Sequence, residues 1–383
     1  MWNIVVTGVA SFLTDLSTEM VYPLIPFFLS TIGASPAVLG LIEGFAESSA
    51  SLLKLVSGHL SDRLGRRKPL AIAGYLLSAT GKAGLYFARS WGTVFCSRMI
   101  ERVGKGFRVA PRDAIIAESS SQGQRNRAFG LHRAMDTLGA AVGVSVAIAL
   151  VSRFPKNPVR SDFVPIFLIA LIPGILGSAV LFLIREQRRS RPARHPVSSG
   201  LSVTPTKLRR FLVIIGIFAL GNSSDQFLLL RAKTLGFPTI TVLTIYLLYN
   251  LVYGFLSYPA GSAADRFGRR QLLASGYALY GLVYFGFAFL TPSSPKWLTW
   301  LLFGVYGLRS AMTEGLEKAL VADISPPQHR GTFLGLHATL VGVSLLPASL
   351  LAGTIWTVFG ASAPFWFGGV LGIVAALGLA FAL

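Results

Sequence analysis

The stretch GHLSDRLGRR, residues 58–67, returns as GSAADRFGRR at residues 261–270, 203 positions further on. Two more echoes follow at an offset of 205: DAIIAE at 113–118 is answered by KALVAD at 318–323, and FGLH at 129–132 by LGLH at 334–337. Three matched pairs at nearly one spacing, in a chain of 383 residues, mean that one structural unit is written twice. Composition sets the solvent in which that unit folds. Hydrophobic residues make up 52% of the chain and charged residues 13%, against about 25% charged in soluble domains, and the mean hydropathy is +0.61. Such a chain belongs in a lipid bilayer. The formal net charge of +19 does not indicate a nucleic-acid partner, which needs a solvated basic face, whereas these Lys and Arg residues lie between long apolar runs. A single cysteine, Cys96, excludes a disulfide framework and a multi-cysteine metal site. The start, MWNIVVTGVASFLTDLSTEM, has no basic leader and carries Asp15 and Glu19 where a signal peptide is apolar, so it reads as an uncleaved first span.

A helix needs about 20 residues to cross the hydrocarbon layer. Hydropathy interrupted by Gly, Pro and charge gives twelve such spans, at 5–31, 36–59, 69–88, 91–117, 128–151, 163–184, 211–230, 239–260, 271–290, 297–322, 332–356 and 364–382. The exceptional connector is REQRRSRPARHPVSSGLSVTPTKLRR, whose Arg, Pro and Ser content marks a solvated linker. The expected organisation is therefore an N-terminal six-helix bundle at 1–184, a basic linker at 185–210 and a C-terminal six-helix bundle at 211–383. Eighteen Lys and Arg fall in the linker and the even-numbered connectors and seven in the odd-numbered ones. That bias predicts a multi-pass protein of the cytoplasmic membrane with both termini and the linker in the cytoplasm. Duplicated six-span halves are how many transporters build a midplane site between two rocking bundles.

The motif Gly58-x-Leu60-x-Asp62-Arg63-x-Gly65-Arg66-Arg67 between the second and third spans resembles the loop signature of the major facilitator superfamily. The second copy, with Gly261, Asp265, Arg266, Gly268, Arg269 and Arg270, falls between the eighth and ninth spans, where that family carries a weaker version. Position, spacing, repeat and span count agree over the whole chain. The resemblance implies an all-α membrane fold of two pseudo-symmetric bundles, alternating access, and spans one, four, seven and ten around a central cavity. Physically, Gly58 and Gly65 permit close backbone approach and a tight turn, and Asp62 can accept hydrogen bonds from a helix N-terminus or an arginine. The triplet Arg66, Arg67 and Lys68 also suits a topology anchor against anionic lipid. Asp62→Asn is expected to abolish transport while membrane insertion proceeds; normal flux in that variant removes Asp62 from the mechanism.

The fourth span contains RMIERVGKGFRVAPRD at 98–113, seven charges in sixteen residues. At 100° per residue, Arg98, Glu101, Arg102, Lys105, Arg108, Arg112 and Asp113 fall within roughly 140° of one helix face. The stripe from Arg98 to Arg112 covers about 21 Å of a core about 30 Å thick. Each charge at the midplane costs at least about 2.5 kcal/mol on insertion scales, so the ladder needs paired groups or water. Pairing into structural salt bridges is the competing account, strongest for Arg108 and Arg112 near the interface. Asp15 and Glu19 share a face of span one. Glu43, Glu47 and Lys54 form a second stripe on span two, and His132, Arg133 and Asp136 begin span five. Asp225 lies in span seven and Arg309, Glu314, Glu317 and Lys318 in span ten.

The buried basic candidates are Lys54, Lys82, Arg98, Arg102, Lys105, Arg108, Arg112, Arg133, Arg309 and Lys318; the acidic ones are Asp15, Glu19, Glu43, Glu47, Glu101, Asp113, Asp136, Asp225, Glu314 and Glu317. An anion trap shows an excess of cations, whereas a proton-coupled carrier needs carboxylates whose protonation releases a cationic partner. The balance favours the second, with Asp15, Glu19, Glu101 and Asp136 as proton sites and Arg98 and Arg102 as partners. His132 and His337, related by the repeat, suit either a metal pair or a repeated structural hydrogen bond; no Cys-x-x-Cys or His-rich tract supports a metal. Two departures from the family pattern bear on transport direction. Arg98 is followed by Glu101 and Arg102 instead of an amide and glycine, and span five has Gly139 and Gly143 without the proline and closing glycine pair of the antiporters. Gly139 and Gly143 read as a small-residue packing face. RVGKGF at 102–107 lacks phosphate-loop spacing, so energy comes from a gradient and no cofactor is required. The resulting expectation is a monomeric, non-enzymatic secondary transporter of small molecules, coupled to protons and exporting organic compounds or drugs. A carrier for an anionic metabolite and a non-transporting sensor on a transporter scaffold are the alternatives.

Overall fold

The computed structural model describes residues 1–64, 66–120, 125–155, 158–185, 205–326 and 329–382, with the side chains of 62, 125, 126 and 331 outside that description. Gly65, the side chain of Asp62 and residues 186–204 of the expected linker thus lie outside the described residues. The chain divides into two compact units, Met1–Ala193 and Arg194–Leu383. The first holds α1 (Trp2–Val21), a 3-10 turn at Tyr22–Leu24, α2 (Ile25–Thr31), α3 (Pro36–Leu64), α4 (Lys68–Phe87), α5 (Trp91–Glu118), α6 (Arg125–Val151) and α7 (Arg160–Val180), which a 3-10 turn continues to Leu183. The second holds α8 (Thr206–Gly221), α9 (Gln226–Thr234), α10 (Thr239–Phe267), α11 (Arg269–Phe289), α12 (Lys296–Ile324), α13 (Arg330–Phe359) and α14 (Ala363–Ala382). With α1–α2 and α8–α9 each counted as one interrupted rod, the described residues form twelve rods, six per unit. Eight of them are long and apolar enough to cross a membrane. The other four, α3, α4, α5 and α12, carry the polar and charged positions and fall short of that apolarity.

The two interruptions have local causes. Pro23 and Pro26 each lack the N–H that a continuous helix needs, and the backbone tightens into the 3-10 turn there. Between α8 and α9 the sequence Asn222-Ser223-Ser224-Asp225 offers side-chain oxygens that compete with helical hydrogen bonds. The Gln226 amide donates to Ser224 Oγ at 3.4 Å, and the Ser224 amide to Ser349 Oγ at 3.3 Å. Helix α8 starts at Thr206, five residues before the expected 211, so Lys207, Arg209 and Arg210 stand on its opening turns behind Pro205.

The spans expected to end at 59 and 260 run on as helix through the repeated motif, to Leu64 and Phe267. The motif is therefore mostly the last turns of α3 and α10, a helix end where a loop was expected. In the second copy Gly268, at φ +88°, is the stop: only a residue without Cβ turns the chain there cheaply into α11. Helices α4 and α5 touch backbone to backbone, since a methyl on Gly81 would stand 2.4 Å from the Glu101 amide nitrogen and one on Gly104 2.4 Å from that of Ser78. Gly139 and Gly143 on α6 approach the Phe12 and Leu16 carbonyls of α1 in the same way, a packing face as their spacing suggested. The α4–α5 contact matters for the site, because Glu101 of the charged face stands on it.

Candidate functional site

The ladder of α5 faces α3 in the first unit. Arg98, 1% exposed, donates through Nε to Glu43 Oε1 at 3.0 Å and through Nη2 to both Glu43 oxygens at 2.9 and 3.1 Å. Its Nη1 donates to Glu101 Oε2 at 2.5 Å, so one guanidinium is shared by two carboxylates. Four residues on, Arg102 pairs with Glu47 at 3.0 Å. Because α3 and α5 run in the same direction, Glu43 and Glu47 keep step with Arg98 and Arg102, and two rungs form about 6 Å apart. Both guanidinium groups lie 5.5 Å from the Tyr22 ring at the break in the first span. Lys105 follows on the same face, half-buried and without a hydrogen bond or ion pair among the described residues. Three cations therefore stand against Glu43, Glu47 and Glu101, and a buried pair of this kind repays its desolvation only through such multiple contacts.

A second cluster lies toward the far end of α5. Arg108 stacks over Tyr75 at 4.5 Å with Asp15 at 4.0 Å, and Arg112 binds Asp113 at 2.8 Å. The Ser11 hydroxyl joins the group: it meets Tyr75 Oη at 2.9 Å, His132 Nε2 at 2.8 Å and Arg112 Nη1 at 3.3 Å. His132 Nδ1 in turn lies 3.4 Å from Asp136 Oδ2, leaving Asp136 Oδ1 buried and unpartnered. Lys82, 1% exposed, reaches from α4 to Ser17 Oγ at 2.8 Å and Thr18 Oγ1 at 2.9 Å on α1.

The second unit is built differently, from tyrosines. Asp225, in the break between α8 and α9, accepts from Tyr306 Oη at 2.7 Å and from Tyr249 Oη at 3.5 Å. Arg309, 6% exposed, lies over Tyr280 at 4.6 Å and over Phe218 and Tyr306 at 5.2 Å each. Its Nη2 reaches Asn222 Oδ1 at 3.4 Å, its Nε has no partner, and no carboxylate lies within 4.0 Å of it among the described residues. Burying an arginine at a helix centre costs about 2.5–3.5 kcal/mol on insertion scales. Ring contacts of about 0.5–2 kcal/mol each offset that without a carboxylate in direct contact. Tyr253 donates to Glu314, and Glu317 accepts from Tyr277 at 2.9 Å and meets His337 Nε2 at 3.3 Å. His132 and His337 are thus each hydrogen-bonded inside their own unit.

Several sequence expectations need correction. Lys54, Arg133, Glu314 and Lys318, expected to be buried, are exposed, because each sits on the side of its helix away from the packed face. Asp15, half-buried on α1, meets Arg108 and not Arg98 or Arg102; Glu19, also half-buried, shares its helix. The ladder's main partners are Glu43 and Glu47, whose four-residue spacing was visible but was not matched to that of Arg98 and Arg102. The tyrosine cluster was missed entirely. Its signal was present: eight of the eleven tyrosines fall between 246 and 306, and 246, 249, 253 and 277, 280, 284 repeat one helical-face spacing.

At the repeated motif, Arg67 holds Glu118, at the end of α5, at 3.1 Å and Ser61 Oγ at 2.9 Å. Arg269 holds Asp323 on α12 at 2.5 Å, with Asp265 at 3.9 Å, and Arg270 donates to the Leu379 carbonyl at 2.7 Å. Glu118 and Asp323 are 205 residues apart, the offset of the repeat. Gly58 is half-buried against Ala110, whereas Arg63, Arg66, Gly261 and Arg266 are exposed and, among the described residues, make no contact that ties them to the ladder.

Twelve rods in two repeated units among the described residues, with charges held along the interior faces of α3, α5 and α12, define a polytopic membrane transporter. The profile of the Major Facilitator Superfamily matches residues 7–316 and 227–383, and the chain belongs to that family. An uncharacterized MFS-type transporter of Methanocaldococcus jannaschii is 36% identical over 385 residues, covering 99% of this chain and 94% of its own. The multidrug resistance protein MdtH of Aeromonas hydrophila is 26% identical over 332 residues, 85% of this chain and 80% of its own. Among solved structures, a D-xylose-proton symporter superposes with a TM-score of 0.77 at 19% identity, covering 98% of this chain and 96% of its own. A POT family peptide transporter superposes at 0.79 and 15% identity, covering 99% and 96%. At such identities these two structures speak for the fold alone.

Proposed function

We propose that this transporter exports small organic compounds from the cytoplasm in exchange for protons, by alternating access, as a monomer in the cytoplasmic membrane with both termini inside. The observation that carries the reading is the guanidinium of Arg98 shared between Glu43 and Glu101. A proton arriving on either carboxylate removes one of two charges that hold Arg98, and the released cation changes the relative stability of the access states. That is coupling in the thermodynamic sense. Asp136, joined to His132, and Asp15, facing Arg108, offer further carboxylates along the same path. The printed name of the Aeromonas relative, a multidrug resistance protein, supports export of organic compounds. The clasps of Arg67 on Glu118 and Arg269 on Asp323 supply one latch per unit.

The test is ethidium movement in vesicles reconstituted with the full chain under an imposed pH gradient. Transport is expected to stop when a proton–potassium exchanger collapses the gradient, and Glu101→Gln to lose gradient-driven accumulation while keeping exchange at equal pH. Ethidium flux that continues at its full rate without a gradient rules out proton coupling.

A further inference from the structure

The last rod of each unit ends among side chains of that unit's first and third rods, and the two ends differ in charge. In the first unit Lys68 Nζ donates to the Phe182 and Ile184 carbonyls at 2.8 Å each, Trp2 Nε1 to that of Leu183 at 3.0 Å and Asn3 Nδ2 to that of Arg185 at 3.0 Å. One cation and two neutral donors close that end. In the second unit both donors are arginines: Arg270 of α11 donates to the Leu379 and Ala380 carbonyls at 2.7 and 2.5 Å, and Arg210 of α8 to that of Ala382 at 3.3 Å. The three carbonyls lie within one turn of α14. Lys207 and Arg209 stand within a turn of Arg210, and all three are exposed. None of these four cations meets a carboxylate within 4.0 Å among the described residues, since Asp265 and Asp323, the acids of that end, face Arg269. Arg270 Nη1 and Arg210 Nε and Nη2 make no hydrogen bond among the described residues. An apolar track leads up to them. Trp366, Val370, Val374, Leu377 and Phe381 recur every three or four residues along α14, each 40–84% exposed, while Gly368, Gly369 and Gly372 turn toward α11. The track is about 22 Å long, most of a hydrocarbon core about 30 Å thick. It ends at Trp366, which packs on Phe285 at 5.4 Å and Phe289 at 4.6 Å.

We propose that this end of the second unit binds one anionic phospholipid, with its phosphodiester between Arg210 and Arg270 and an acyl chain along the α14 track. The site needs no cavity, because Arg210 and the whole track are open at the protein surface. Charge selects the headgroup. A phosphodiester brings one negative charge and two acceptor oxygens to guanidinium donors that are still unused, the charge-assisted geometry in which arginine binds phosphate. A zwitterionic headgroup adds a cation beside four that are already there. Length selects a lipid over a free anion, which has no chain to cover the exposed track. The first unit does not repeat the arrangement: Lys68 already serves two carbonyls, and Arg67 is neutralised by Glu118. The inference is independent of the transport reading and requires only a chain embedded in a bilayer.

The experiment is native mass spectrometry of the purified full chain in detergent, titrated with dioleoylphosphatidylglycerol or dioleoylphosphatidylcholine and then challenged with glycerol 1-phosphate. The first phosphatidylglycerol is expected to bind at least about tenfold more tightly than phosphatidylcholine, a ratio that two basic contacts at the membrane surface supply. Arg210→Gln is expected to lower that preference by about fivefold, the share of one such contact, and Arg210→Lys to keep most of it. Arg63→Gln, an exposed charge of the first unit, should leave it unchanged. Glycerol 1-phosphate at the lipid's own concentration should displace nothing. Equal binding of the two lipids by the unaltered protein overturns the proposal whether or not any variant folds. So does a preference that survives undiminished in Arg210→Gln, or one that Arg63→Gln reduces as much. Displacement of phosphatidylglycerol by glycerol 1-phosphate overturns it as well, because the site then reads a free anion and the track has no part in binding.

Discussion

Glu43→Leu protein is expected to be less stable than the unaltered chain by about 3–5 kcal/mol, the cost of removing one partner from a buried ion pair. Glu43 is fully buried and binds Arg98 through three of the four contacts that guanidinium makes with carboxylates. Without it, Arg98 keeps Glu101 alone, and its Nε and Nη2 donors face hydrocarbon. Glu43→Gln retains one acceptor and should lose less. The informative variant is the triple replacement of Glu43→Leu and Glu101→Leu with Arg98→Met, which removes the shared charge along with both its partners. Replacing a whole buried ion group by apolar side chains is often neutral or stabilising, so the triple variant should recover most of the stability while proton-driven ethidium movement stays absent. Denaturant titration in mixed micelles, followed by tryptophan fluorescence, measures the first quantity and vesicle flux the second. A triple variant that transports normally would remove the Arg98 ladder from the mechanism.

The second large effect is steric. A Cβ on Gly104 would stand 2.4 Å from the Ser78 amide nitrogen and 2.6 Å from both the Gly74 carbonyl oxygen and Ser78 Oγ; the first two are backbone of the opposing helix, which no rotamer change moves aside. Gly104→Ala must therefore separate α4 from α5. Overpacking of this kind costs about 1–3 kcal/mol or more, and the separation also moves Glu101 and Arg102, which flank the contact. Gly304→Ala on α12 is the control, because nothing lies within 4 Å of its added methyl. There the change should stabilise by about 0.5–1 kcal/mol through helix propensity. If both alanine variants unfold at the same denaturant concentration, the tight α4–α5 contact is not what positions the ladder.

These two cases mark where sequence reasoning stops. That Arg98, Glu101, Arg102 and Lys105 share a helix face follows from a period of 3.6 residues and needs no third dimension. That Glu43 is the partner of Arg98 does not follow, since they are 55 residues apart and Asp15 and Glu19 had an equal claim by spacing alone. The repeated motif marked Arg67 and Arg269, yet the carboxylates they meet, Glu118 and Asp323, lie on other helices and no spacing names them. One tyrosine ring in an apolar helix carries no sign of its function. Three of the tyrosines gain meaning only when α10, α11 and α12 bring Tyr249, Tyr280 and Tyr306 around Arg309 and Asp225.

The amino-acid sequence alone determined that this protein lives in a bilayer, that it consists of twelve rods in two repeated sets, and that the fourth rod has a charged face. These are properties of composition, repeat and period, which exist before the chain folds. The tertiary structure decided which carboxylate neutralises which cation, and that Arg309 is caged by rings. Ion pairing is a matter of ångströms between helices, and the relative height and rotation of two packed helices are set by small-residue contacts such as Gly81 and Gly104 whose partners no linear pattern names.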